Sequence, residues 1–88
     1  MIPTLSHTKD PSMGWDIAAS AKVDKSEKIA RAQVIVNGSS EFDEAFDPPL
    51  SSWSKTLNRS GEYPGDNTVQ LVVTDDQGND TVAEDSWS

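Results

Sequence analysis

Residues 75–80 read DDQGND, which gathers Asp75, Asp76, Asn79 and Asp80 around Gly78. Oxygen-bearing side chains at that density suit a hard cation such as calcium, which takes roughly six to eight oxygen ligands. Asp24, in a charged turn earlier in the chain, could add a carboxylate from the same end. The spacing departs from the EF-hand loop, which needs acids at alternate positions and a distant Glu. A second reading needs no ion. Gly78 supplies a positive φ, and Asp and Asn side chains hydrogen-bond their own backbone at a hairpin tip. The spacing favours the turn. Calcium at Asp24, Asp75, Asp76 and Asp80 is the alternative.

Two further groups could carry chemistry. EFDEAFD, residues 41–47, offers Glu41, Asp43, Glu44 and Asp47, a patch for a cationic partner or a second ion site. Charge runs are more often solvated loops, here anchored by Phe42 or Phe46. Trp15, Trp53, Trp87 and Tyr63 could form a sugar-stacking platform. Trp15 and Trp53 fall in phase with apolar neighbours and read as core. Trp87 and Tyr63 are then the candidates for ligand contact, and Tyr63 also suits a tyrosine corner. The single histidine, His7, lies in a stretch that reads as irregular, so no Ser, His and acid trio can be assembled on rigid elements. A carboxylate pair could serve a glycosidase, but a domain this small has little room for a substrate cleft. A non-enzymatic protein is expected. With no Cys and one His, a zinc site of ordinary type is excluded.

The chain of 88 residues suits one domain with a thin core. Its net charge of −8 disfavours nucleic acid and anionic lipid, and admits cations or basic partners. No apolar run is long enough for a membrane helix. The first residues lack the layout of a signal peptide, so a non-exported protein or a piece of a larger exported one is expected, with Met1 as a possible added start.

The elements that must position these residues are strands. Residues 1–14, with Pro3, Pro11 and Gly14, read as an irregular lead-in or linker before a domain at 15–88. In WDIAASAKV, Trp15, Ile17, Ala19, Ala21 and Val23 share one face at period two. Ala32, Val34 and Val36 do the same in IARAQVIVNG, which ends on an Asn37-Gly38 turn. WSKTLN alternates, and TVQLVVTD places Val69, Leu71 and Val73 on one side. Residues 39–52 are open between a helical turn carrying Phe42 and Phe46, stopped by Pro48-Pro49, and a short strand with a loop. In TVAEDSWS, Val82 and Trp87 cannot both face inward, which calls for a bulge or for Trp87 on the rim. No helical period persists over three turns. The fold class expected is all-β: an immunoglobulin-like antiparallel β-sandwich of about seven strands.

In this order the residues resemble the bacterial immunoglobulin-like modules of secreted and cell-surface multidomain proteins. Three pieces carry the likeness: IAASAKVDKSEKIARAQVIVNG, WSKTLN and GDNTVQLVVTDDQGND, in which Gly65, Asn67, Val69, Leu71, Val73, Asp75, Gly78 and Asn79 occupy the motif places. The acidic EFDEAFDPPL stretch is longer than that pattern. The resemblance implies a spacer, scaffold or adhesion module with a protein partner or neighbouring domains, at an extracellular, periplasmic or surface location. A carbohydrate-binding module for polysaccharide, read from the aromatic residues, and a calcium-stabilised adhesion module, read from the acidic turn, are the alternatives.

Overall fold

The computed structural model describes residues 2–9, 14–23, 26–59 and 67–87, with the backbone alone for Lys9, Arg59 and Trp87. Seven strands appear in chain order: β1 Ile2–Lys9, β2 Trp15–Lys22, β3 Ile29–Val36, β4 Ser39–Leu50, β5 Ser52–Arg59, β6 Asn67–Asp75 and β7 Asp80–Trp87. They form two antiparallel sheets, ordered β1-β2-β5 and β4-β3-β6-β7. The chain crosses between sheets after β2, β4 and β5. It is therefore an antiparallel β-sandwich in which the fourth strand pairs with the third.

The period-two pattern explains the layers. Ile17, Ala19 and Ala21 of β2 are buried, as are Ala32, Val34 and Val36 of β3 and Val69, Leu71 and Val73 of β6. The alternate residues of each strand face outward, because successive Cβ atoms of a strand point to opposite faces. Ile17, Ile29, Val34, Leu71, Val69 and Val73 are the largest fully buried side chains.

Three expectations need correction. Residues 2–9 are a strand and not an irregular lead-in; β1 pairs with β2 residue for residue from Ile2↔Lys22 to Lys9↔Trp15. Pro3 is tolerated because β1 is an edge strand. Residues 39–50 form one strand of 12 residues, with no helical turn. Phe42 and Phe46 misled because a spacing of four satisfies both the helical turn and the strand parity. Both rings and Leu50 pack against the core from the same face of β4. Finally, β7 pairs with β6 without a register shift from Asn67↔Trp87 to Thr74↔Asp80, so there is no bulge. Val82 takes the solvent side, 51% exposed.

Trp15 and Trp53 sit at the margins and not in the middle of the core. Trp15 and Trp53 are half-buried and packed against it. Trp15 opens β2 and lies edge-on to His7 of β1, ring centroids 5.5 Å apart. Trp53 near the start of β5 meets Phe42 and Phe46 of β4 at 5.7 and 6.4 Å. Two lateral seams are thus sealed by aromatic rings. Along one of them β1 lies against β7 and β6.

The Asn37-Gly38 turn does more than reverse the chain. Asn37 and Gly38 adopt φ of 51° and 81°, as such a turn requires. Asn37 N–H donates to the Thr68 carbonyl at 2.9 Å, and its side-chain oxygen accepts from Thr68 N–H at 2.9 Å. Its side-chain amide also donates to Asn67 Oδ1 at 3.1 Å. The buried Asn67 therefore welds the β3–β4 hairpin to the start of β6.

β1 begins and β7 ends at opposite poles of the sandwich, whose principal extents are 41 × 20 × 18 Å. At the first pole β2 leads to β3, β4 to β5 and β6 to β7.

Parity makes a direct prediction. Leu71→Ala leaves a cavity between the sheets and lowers unfolding free energy by about 2–5 kcal/mol in urea titration. Val82→Ala on the neighbouring strand changes it by no more than about 0.5 kcal/mol. Equal effects of the two would mean that the inward face has been misassigned.

Candidate functional site

The acidic turn between β6 and β7 is built around Asp75, which is buried. Its Oδ1 accepts the N–H groups of Gln77 at 2.9 Å and Asn79 at 2.8 Å. Its Oδ2 takes the Asn79 side-chain amide at 3.5 Å. Asp75 N–H donates to the Asn79 carbonyl at 2.9 Å, and Gly78 N–H to the Asp75 carbonyl at 3.2 Å. Gly78 has the φ of 85° that the tip demands. These donors, the Asn79 N–H first, hold the Asp75 carboxyl below its ordinary range, against the opposing effect of burial.

The turn is also fixed to its surroundings. Asp76 N–H donates to the Lys28 carbonyl at 3.0 Å, which ties the tip to the connection between β2 and β3. Thr74 Oγ1 donates to Asp80 Oδ1 at 2.6 Å across the hairpin. Of the four calcium candidates, Asp75 and Asp80 thus spend carboxylate oxygens on the hairpin itself. The Asp76 side chain is exposed, and Asp24 lies outside the described residues. No cluster of three His, Cys, Asp or Glu that could hold a metal occurs among the described residues.

His7 is the residue whose role was least legible. It lies on β1, and its Nδ1 is 2.5 Å from Asp85 Oδ2 of β7, both side chains being about a quarter exposed or less shielded than the core: 27% and 22%. The pair joins the edge strands of the two sheets where Trp15 covers the imidazole edge. Some 78 positions separate the partners, so no local pattern could pair them. The carboxylate fixes the imidazole as a brace across the seam.

The acidic stretch 41–47 lies on the edge strand β4. Asp43 receives both Nε and Nη2 of Arg31, at 2.8 and 2.5 Å, so one of its four acids is spent on a cross-strand pair. That hydrogen-bonded pairing holds the Asp43 carboxyl low and the Arg31 guanidinium high. Glu41, Glu44 and Asp47 are exposed. Beside them, Lys55 of β5 places its Nζ 5.6 Å from the Phe42 ring centroid. Acids on β4, Pro48-Pro49 and an inward-facing lysine on β5 guard two open sheet edges against random strand addition.

A sugar platform fares poorly at Trp53, because Phe42 and Phe46 pack on it. Tyr63 lies outside the described residues, and so does the Trp87 side chain. Two open cavities lie among the described residues. One of about 400 Å³ lies along β6 and β7 beside Gln70 and Glu84, which are joined by a 2.9 Å hydrogen bond. The other, of about 300 Å³, is lined by Ser20, Ala21, Lys22, Ser52, Trp53 and Ser54. Their linings hold hydroxyl, amide and carboxylate groups and one ammonium, which can bind polar ligands. No protein-family model and no curated protein matches the chain.

Two measurements check this account. A lowered folded-state value means that the stability Asp75 contributes is present above the unfolded Asp value of about 3.9 and is lost as pH falls through the folded one. Asp75→Asn therefore lowers the melting temperature at neutral pH and shallows the acid limb of the stability curve. An unaltered acid limb would remove Asp75 from that role. In addition, calcium and a chelator give superimposable melting curves; a rise with calcium would show ligand oxygens that the hairpin does not consume.

Proposed function

We propose that this chain is a non-catalytic immunoglobulin-like module of a secreted or surface multidomain protein of the bacterial type, spacing its neighbours and offering loops to protein partners. The observation that carries the reading is the placement of the two ends. The first strand starts at one pole and the last strand finishes at the other, along an axis of 41 Å. A chain that enters and leaves at opposite poles extends an array by its own length. One whose ends met at a single pole would only hang from it.

The use of the polar residues supports the same reading. Asn37, Asn67, Asp75, Asn79, His7 and Asp85 all serve as braces between turns, hairpins or sheets. Such bracing suits a spacer, which must keep its length under load. Location outside the cytoplasm follows only from this role. Calcium-stabilised adhesion draws less support, because Asp75 and Asp80 spend carboxylate oxygens on the hairpin.

Two copies joined head to tail by a short linker should form an extended particle. In small-angle scattering the largest dimension should grow by about the 41 Å of one module. A joined pair that folds back to a compact particle, or hydrolytic activity in the purified domain, would defeat the proposal.

A further inference from the structure

We propose that the outer face of the three-stranded sheet is a self-complementary surface on which a second copy of this chain docks about a two-fold axis. The face is built from the outward positions of β1, β2 and β5, all at regular antiparallel register. On β1 and β5 these positions are Ile, Ser, Thr and Asn. Only Asp16 and Lys22, both on the central strand β2, are charged among the described residues of this face.

That neutrality stands out against the rest of the molecule. The chain carries −8, and the outer face of the other sheet presents Asp43, Asp80 and Glu84 against Arg31. Two copies approaching through acidic surfaces repel one another. The three-stranded face is the broad one on which they do not.

The two charges are also placed for self-pairing. Asp16 and Lys22 lie three residues to either side of Ala19. A two-fold axis lying between the faces, across β2 at Ala19, sets each Asp16 against the Lys22 of the second copy. An isologous contact of this kind uses one patch twice and closes at a dimer. Asn58 Nδ2 donates to Asp16 Oδ1 at 2.7 Å, which holds that carboxylate in place before contact. Lys22 borders the open cavity between Ser20 and Ser54, leaving room for the incoming acid. Ala18 and Ser20 flank the axis and are small enough for close approach. Ile2, 63% exposed, adds apolar contact at the end of β1.

The size of the face sets the strength. Three strands of eight residues cover about 14 × 27 Å at the usual strand spacing and rise. That is roughly half of the ~800 Å² per partner of a standard interface, so the dimer is transient.

Sedimentation velocity of the full chain from about 10 μM to about 1 mM, at about 0.15 M salt to screen the repulsion between two copies of net charge −8, tests the surface. The wild type should shift from monomer to dimer with a Kd on the order of 100 μM. Asp16→Lys and Lys22→Asp should each sediment as a monomer, and an equimolar mixture of the two should regain the dimer, since each opposed pair is again of opposite sign. Lys22→Gln, a milder change, should weaken association at least threefold while circular dichroism stays that of the wild type. A wild type monomeric throughout, charge variants that associate unaltered, or a mixture that stays monomeric would each overturn the proposal. So would a monomeric wild type that is held by polysaccharide through this face. The head-to-tail spacing role is independent of all these outcomes.

Discussion

The contact that everything else depends on is the meeting of β2 with β3 and β6. Ile17, Ala19 and Ala21 lie on one side, and Val34, Val69, Leu71 and Val73 on the other. These few side chains hold two sheets together in a chain with no disulfide. At about 25 cal/mol per Å² of apolar surface, a layer this thin leaves a small margin over the entropy of ordering the chain. The seams and turns must therefore carry a share that a larger domain would leave to its core.

That share is visible at both poles and along the sides. Asn37 and Asn67 join a hairpin to a strand beside it, while Asp75 gathers the N–H groups of its own turn. Asp76 then ties that turn to the chain beside Lys28. His7 and Asp85 clasp the edges of opposing sheets, and Trp15 and Trp53 fill the margins. Each polar brace is directional and satisfies groups that burial would otherwise strand, at a cost of about 1–3 kcal/mol each. Polar residues that suggest chemistry in the sequence are largely consumed in this way.

The surface is divided as sharply as the interior. One sheet turns a charged face to solvent, laced by Arg31–Asp43, Gln70–Glu84 and Thr74–Asp80. The other turns out hydroxyls and one charge of each sign. The open edges β4 and β5 carry acids, prolines and a lysine that discourage strand addition.

Much was legible in the residues alone. The inward faces of β2, β3 and β6, the Asn37-Gly38 turn and the hairpin at Gly78 follow from period two and from the φ that Asn and Gly tolerate. These are local properties, and local sequence determines them. Other features belong to the tertiary structure. A spacing of four at Phe42 and Phe46 fits helix or strand, and only pairing with β3 decides between them. Residues 2–9 carry a weak pattern and become a strand because β2 offers them an edge. His7 meets Asp85, and Asp76 meets Lys28, through sheet packing that brings distant segments together. The sequence by itself thus determined which side chains face inward along each strong strand, because alternation is a property of one extended chain. Only the tertiary structure decided which edges, seams and faces exist, because these arise where separate strands meet.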